Sequence, residues 1–141
     1  MYLLRKLAIA GILTLSLAAA YADSPEISDL LKQPGHDWTK NYLTGWEVIR
    51  LLDSGKYVTR TKCDICPIET TSGDWSRIGN VIRLTPHNSA KGVRELIEKE
   101  ANGCQLLAPR NAIHSNGRVS AGAYLREEPP CRSTPSGYIR K

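Results

Sequence analysis

The stretch Asp53–Pro86 constrains the fold more than any other part of the chain. It contains two units in which a turn glycine precedes an aromatic residue, Gly55–Tyr57 (Gly-Lys-Tyr) and Gly73–Trp75 (Gly-Asp-Trp). Short runs of β-branched and aromatic residues surround both units, and Gly, Asn and Pro interrupt these runs, which is the pattern of β-hairpins. The stretch therefore predicts consecutive antiparallel strands.

Side-chain alternation extends this prediction in both directions along the chain. Residues 57–63 place Tyr57 and three small residues on one face and Val58, Arg60 and Lys62 on the other, which is typical of a half-buried strand with one wet side. Residues 45–52 also predict a strand, with a bulge near Ile49 where the alternation breaks. Further strands are predicted at 70–76, 81–85, 104–109 and 121–126.

Residues 93–99 fit two kinds of secondary structure. Val93, Leu96 and Ile97 recur at helical spacing, whereas Asn102-Gly103 just beyond them is a hairpin signal. We favour a strand, because a meander that reaches this point needs a neighbour for its last edge. About seven strands in sequence order then predict a mainly β fold, a small up-and-down antiparallel barrel or strongly curled sheet with one short N-terminal helix.

The first 22 residues have the features of a cleaved signal peptide. Arg5 and Lys6 precede an apolar run, and Ala20–Ala22 offers a small-x-small cleavage site before Asp23. The apolar run is shorter than the ~20 residues that cross a bilayer. We therefore expect a periplasmic or secreted protein with no stable membrane insertion after cleavage.

A single β domain is predicted for residues 23–131. A helix at 25–33 opens it, with Ile27, Leu30 and Leu31 forming an apolar stripe that would pack on the domain as a lid. Residues 132–141 are polar and proline-containing, which predicts a loose C-terminal tail. Signal cleavage removes two basic residues and lowers the formal net charge from +5 to +3. The remaining basic residues are scattered, so no nucleic-acid partner is predicted.

Four cysteines in an exported chain predict two disulfides. In up-and-down order, Cys63 and Cys66 lie at one rim of the barrel, and Cys104 and Cys131 lie at the opposite rim. Strands of about six residues separate the rims by roughly 20 Å, whereas a disulfide needs Cα atoms within about 7 Å. The topology therefore predicts the pairs Cys63–Cys66 and Cys104–Cys131.

The Cys63–Cys66 pair leaves three roles open. It is a structural staple, a redox-active pair, or part of a metal site with a histidine. We favour the staple, because no helix follows that would lower the pKa of a thiol.

The sequence Gly-Lys-Tyr at 55–57, Gly-Asp-Trp at 73–75 and Val-Ile-Arg-Leu-Thr-Pro at 81–86 resembles that of small exported bacterial proteins of lipocalin-like or half-barrel build. Among them is the N-terminal domain of the copper-responsive outer-membrane lipoproteins, which also carries a Cys-x-x-Cys motif. The resemblance covers roughly residues 44–109 and implies a β-barrel and an envelope location. This chain lacks the lipid-bearing cysteine of those lipoproteins and places its motif between the two aromatic hairpins.

No set of residues predicts catalysis, a cofactor or a metal site. His36, His87 and His114 fall in predicted loops, without a nucleophile and an orienting carboxylate beside them. The glycines are spaced singly rather than in a phosphate-binding loop. An enzyme is therefore not predicted.

Three tryptophans are the largest candidate core residues in a chain without phenylalanine. Trp46 and Trp75 are expected to fill the barrel. Trp38 is expected either to plug one end of it or to serve as an exposed anchor for a partner.

These features predict a small periplasmic, non-enzymatic binding protein that acts on another envelope protein, as an inhibitor or immunity protein does. Its recognition face is expected on three polar loops at one rim, 66–71, 86–92 and 111–120, with partner-binding residues His87, Lys91, Arg110 and His114. The alternative is a small-ligand or metal/redox sensor that uses the barrel mouth and the Cys63–Cys66 pair.

Overall fold

The computed structural model describes residues 25–120, 122–134 and 137–140. The predicted signal peptide, residues 1–22, lies outside the described residues. Helix α1 is followed by ten strands, whose bounds are as follows: α1 Pro25–Leu31, β1 Gly35–Tyr42, β2 Gly45–Leu52, β3 Lys56–Cys63, β4 Glu69–Ile78, β5 Val81–Pro86, β6 Arg94–Ala101, β7 Cys104–Ala108, β8 Tyr124–Arg126, β9 Cys131–Thr134 and β10 Gly137–Arg140.

The first eight strands form a closed antiparallel barrel. Each strand pairs with the next along the chain, and β8 pairs with β1 to close the sheet. The mainly β fold with one short helix is therefore confirmed, with eight strands in the barrel where about seven were expected. Residues 94–99 of the ambiguous segment lie in strand β6, as favoured, and Val93 lies in the loop just before it. The turn after it has positive φ at both Asn102 and Gly103, as a tight two-residue hairpin requires.

Strand order divides the connections between the two ends of the barrel. We call the end with loops 43–44, 64–68, 87–93 and 109–123 the mouth rim, because these loops follow the odd-numbered strands. The end with turns 53–55, 79–80 and 102–103 is the opposite rim. The three loops proposed from the sequence as one recognition face all leave from the mouth rim.

The register of β2 corrects two expectations from the sequence. Pairing with β1 and β3 is continuous through Ile49, so the predicted bulge is absent. Glu47, Ile49 and Leu51 face the interior, which puts Trp46 on the outer wall beside Val48. Apolar residues occur on both faces of β2 because helix α1 covers part of its outer face, and this covering obscured the alternation.

Helix α1 packs on the outside of the barrel, as its apolar stripe predicts. Leu30 is buried against Leu52 and Val58, with Ile27 and Leu31 beside them. This cluster explains why Val58, on the face of β3 that was expected to be wet, is only 1% exposed.

The interior toward the opposite rim is an apolar core. Trp38 is 3% exposed and lies inside this core, so it is not an exposed anchor, and Trp75 packs against the same cluster from the side. The other members are Ile49, Leu51, Tyr57, Ile82, Leu84, Leu96, Leu107 and Tyr124. Full burial of each such side chain is worth roughly 1.5–3 kcal/mol, so this half of the barrel is the main source of stability.

Both predicted disulfides are present. Cys63–Cys66 spans two Cα atoms 5.0 Å apart, and Cys104–Cys131 spans two Cα atoms 5.8 Å apart. Cys131 begins β9, which pairs with β10 as a hairpin, in the segment where a loose tail was expected. Cys104 and Cys131 form a small buried cluster with Leu106 and Leu125 on the barrel wall.

Removing Cys104–Cys131 should destabilise the protein more than removing Cys63–Cys66. The first bond closes a sequence separation of 27 residues and the second a separation of 3, and the chain-entropy contribution grows with loop length. We expect Cys104→Ser/Cys131→Ser to lower the free energy of unfolding by about 3 kcal/mol. Urea denaturation of the two double variants measures this, and an equal or larger loss for Cys63→Ser/Cys66→Ser would contradict it.

Candidate functional site

A buried carboxylate, Glu47, is the centre of a polar cluster inside the mouth of the barrel. It is only 8% exposed, because it is the third residue of β2 and faces the interior of the barrel. Its Oε1 accepts a hydrogen bond of 2.9 Å from Arg94. Its Oε2 accepts hydrogen bonds from the hydroxyls of Tyr124 at 2.8 Å and Tyr42 at 3.1 Å. All of these partners come from strand ends at the mouth rim.

Lys40 adds a second cation to this cluster. Its Nζ lies 3.6 Å from Oε2 of Glu47 and donates a 3.1 Å hydrogen bond to the hydroxyl of Tyr124. It also lies 4.3 Å from the ring centroid of Tyr124 and 5.1 Å from that of Tyr42, which are cation–π distances. One carboxylate therefore faces two cations.

The hydroxyl of Tyr124 connects all of these charged groups. It donates its proton to Glu47 and accepts hydrogen bonds from Lys40 and Arg94. A phenol has one donor and two acceptor positions. The described contacts thus use the full hydrogen-bonding capacity of this hydroxyl.

Burial and charge together fix the protonation states in the cluster. Burial acts to raise the pKa of Glu47, but Arg94, the hydroxyl of Tyr124 and Lys40 outweigh it and hold the pKa below its ordinary value. Burial, followed by the charge of Glu47, raises the pKa of both Tyr42 and Tyr124. At neutral pH the carboxylate is therefore ionised and both tyrosines remain hydrogen-bond donors.

Above this cluster lies an open cavity of about 330 Å³. Three threonines, Thr59, Thr61 and Thr71, line it together with Glu47 and Arg94 of the cluster. An ion pair between Lys91 of loop 87–93 and Glu69 at the start of β4 borders the cavity. The remaining lining residues are Tyr57, Pro86 and Gly92.

The mouth rim also exposes apolar side chains. Leu43 is 89% exposed and Ile65 is 97% exposed, and Tyr42 and Val93 at the same rim are exposed to a lesser degree. Ile78, on the opposite rim, is the other large apolar residue exposed among residues 26–120 and 122–132, whose side chains the structure describes. Leu43 and Ile65 belong to adjacent loops, because the backbone N–H of Asp64 donates a 2.8 Å hydrogen bond to the carbonyl of Thr44.

The four residues predicted to bind a partner do not lie together. Lys91 lines the cavity at the mouth, and His87 lies on the outer wall, with Nε2 3.4 Å from a carboxylate oxygen of Asp74. Arg110 is exposed in a short 3₁₀ turn just after β7. His114 lies in the loop 109–123, whose tip folds back along the barrel.

One hydrogen bond and one buried residue hold that loop against the barrel. The carbonyl of Gly117 accepts a hydrogen bond from Lys99, which lies on the outer face of β6. Ala112 in the same loop is buried, 4% exposed. His36, the third histidine, lies at the start of β1, where its ring is 3.0 Å from Arg126.

The sequence interpretation missed Glu47, Arg94, Lys40, Tyr42 and Tyr124 as a set. One signal was available: Glu47 shares its strand face with Ile49 and Leu51, and a carboxylate on a core-facing position needs a buried cation. The sequence does not show which cation meets it, because Arg94 is 47 residues away along the chain.

No protein-family model, curated protein or solved structure matches this chain. Within the described ranges, no helix combines the length and the apolar character needed to cross a bilayer. No group of three or more His, Cys, Asp and Glu side chains in the described part of the chain is arranged to hold a metal ion.

Replacing Glu47 with Gln should destabilise the protein and weaken its acid sensitivity. The substitution leaves Arg94 and Lys40 partly buried without their carboxylate, which costs about 3 kcal/mol. The folded-state pKa of Glu47 is below its ordinary value, so its contribution is present above about pH 4.3 and lost as pH falls through the folded pKa.

Chemical denaturation between neutral and acidic pH measures both effects. The difference in unfolding free energy between wild type and Glu47→Gln should shrink toward acid. Asp29→Asn, at an exposed pair with Lys32 on α1, is the control and should change stability by less than about 0.5 kcal/mol. A Glu47→Gln variant as stable as wild type at neutral pH would contradict this account.

Proposed function

We propose that this protein is a non-enzymatic binding protein that recognises another protein through the mouth rim. The observation that carries the proposal is the position of the exposed apolar side chains. Among residues 26–120 and 122–132, whose side chains the structure describes, five large apolar residues are exposed, and four of them, Tyr42, Leu43, Ile65 and Val93, belong to this one rim. Exposed apolar side chains clustered within a polar surround are typical of protein-interaction sites.

The two loops that hold Leu43 and Ile65 are constrained by a disulfide, a hydrogen bond and a close backbone approach. Cys63–Cys66 staples the loop that carries Ile65, and the hydrogen bond from Asp64 to Thr44 ties this loop to its neighbour. At Gly45 a Cβ atom would lie 1.9 Å from the carbonyl oxygen of Lys62, so only glycine permits this approach of β2 to β3. Pre-organised loops lose little conformational entropy on binding, which favours affinity.

The charges of the loops indicate the chemistry of the partner. The loops of the mouth rim carry Lys91, Arg110 and Arg118 against Asp64, with Lys91 also paired to Glu69 at the start of β4. The connections at the opposite rim carry three acidic residues, Asp53, Glu127 and Glu128. Complementary potentials steer association. A partner with an apolar patch flanked by acidic residues therefore fits this rim best.

The proposed setting is the cell envelope, with action of the inhibitor or immunity type. Two disulfides and the signal-peptide pattern of residues 1–22 support an oxidising compartment. The polar cluster around Glu47 supports a binding role over proton transfer. The hydroxyl of Tyr124 already donates to Glu47 and accepts from Lys40 and Arg94, so it has no position left for a substrate.

Polar substitution of the two exposed aliphatic residues should abolish partner capture without affecting the fold. Leu43→Ser/Ile65→Ser removes side chains that are exposed before binding, so the melting temperature should stay the same. Ile78→Ser, on the opposite rim and 74% exposed, is the matched control. The measurement is quantitative mass spectrometry of cross-linked proteins captured from periplasmic extract by wild type and the variants.

The predicted result is a protein that wild type and Ile78→Ser capture and Leu43→Ser/Ile65→Ser does not. Lys91→Asp and Arg110→Asp should reduce its capture as well, because they reverse the charge complementarity. Equal capture by all variants would contradict the proposal. So would light scattering that shows a dimer of this chain lost in Leu43→Ser/Ile65→Ser, because the rim would then bind a second copy.

A further inference from the structure

We infer that the mouth cavity is a second binding site, an oxyanion site centred on Arg94 that takes one carboxylate group. The inference concerns the inside of the barrel and does not depend on the apolar rim. Three observations carry it: the way Arg94 is held, the balance of charge around it, and the wall opposite it.

Arg94 is oriented before any ligand arrives. One Nη donates to the carboxylate of Glu47 at 2.9 Å, and the other donates to the hydroxyl of Tyr124. Its side chain is nevertheless 40% exposed and lines the cavity. A guanidinium has five N–H donors in a planar fork that suits the two oxygens of a carboxylate. Both Nη atoms are thus held by the cluster, and these two contacts use only two of the five N–H donors of a side chain that lines the cavity.

The charge of the cluster favours a monoanion. Lys40 and Arg94 share the single carboxylate of Glu47, which leaves one positive charge in excess. Lys91 and Glu69, at the border of the cavity, neutralise each other. Because partly buried charge is costly unless it is paired, one bound carboxylate would balance the site.

The wall across the cavity is suited to a small organic anion. Thr59, Thr61 and Thr71 line the cavity and are residues whose hydroxyls can donate to an anion, and Pro86 and Tyr57 in the same lining offer apolar contact. A volume of about 330 Å³ is at the small end of ligand sites, which range from roughly 300 to 1,000 Å³. The ligand is therefore a small carboxylic acid or the C-terminal carboxylate of a peptide.

Binding of matched charged and neutral probes tests this site. The probes are benzoate with benzamide, and the peptide N-acetyl-Ala-Ala with its C-terminal amide, each titrated into the mature protein and followed by isothermal calorimetry and NMR. We expect one or both carboxylates to bind with shifts at Thr59, Thr61 and Thr71, and the neutral forms to bind at least ~10-fold more weakly. The carboxylate that binds more tightly identifies the source of the ligand.

Variants separate an Arg94 site from general attraction to a basic protein. Arg94→Gln should weaken carboxylate binding at least ~10-fold. Arg77→Gln removes an ion-paired arginine near the opposite rim and should leave binding unchanged. Thr61→Val removes the hydroxyl but keeps the shape of the side chain, and it should weaken carboxylate binding by several-fold. This variant tests the site even if Arg94→Gln does not fold. Leu43→Ser/Ile65→Ser should bind the probes as wild type does.

Three results would overturn the inference. The first is no binding of either carboxylate, and the second is equal binding of the neutral forms. The third is tighter binding of inorganic phosphate than of both carboxylates. None of these results bears on the proposed protein-binding surface at the mouth rim, because that proposal is tested separately by protein capture.

Discussion

The buried carboxylate of Glu47 is the interaction on which the mouth of this barrel depends. It receives hydrogen bonds or ion-pair contacts from Tyr42 and Lys40 on β1, Arg94 on β6 and Tyr124 on β8. Strand β8 has only three residues and meets each of its neighbours through two residue pairs. The polar cluster thus joins the strands on both sides of the closure, where the backbone ladder is shortest, and a lone buried charge would be costly without these partners.

The interior of the barrel is divided by polarity. Toward the opposite rim, an apolar core that includes Trp38 and Tyr57 closes the barrel and supplies its stability. Toward the mouth, the polar cluster replaces the apolar core, and the strands leave an open polar cavity at the same rim that exposes Leu43 and Ile65. A small domain can accommodate such a cavity because helix α1 adds buried apolar area on the outer wall at Leu30, Leu52 and Val58.

Much of the fold could be predicted from local pattern, because strand alternation and turn residues are local properties. The hairpin at Asn102-Gly103 and the pairing of all four cysteines follow from turn chemistry and strand order. The outward position of Trp46 could not be predicted from alternation, because β2 carries apolar residues on both faces. Those on its outer face include Leu52, which packs against α1. The site was the least predictable part, since its members lie up to 84 residues apart, as Lys40 and Tyr124 do. The path of loop 109–123 was not predictable either, because it depends on the hydrogen bond from Lys99 on β6 to the carbonyl of Gly117, 18 residues away along the chain.

The central claim is that Glu47 clamps Arg94 in a fixed orientation at the mouth. The most direct measurement is NMR of the Arg94 guanidinium in the unliganded protein, since hydrogen bonds from both Nη atoms slow rotation about the Cζ–Nη bonds. The account predicts separate, slowly exchanging Nη resonances for Arg94, with a coupling across the hydrogen bond to Glu47 or Tyr124. A single averaged Nη resonance, like that of an exposed arginine such as Arg83, would contradict the claim.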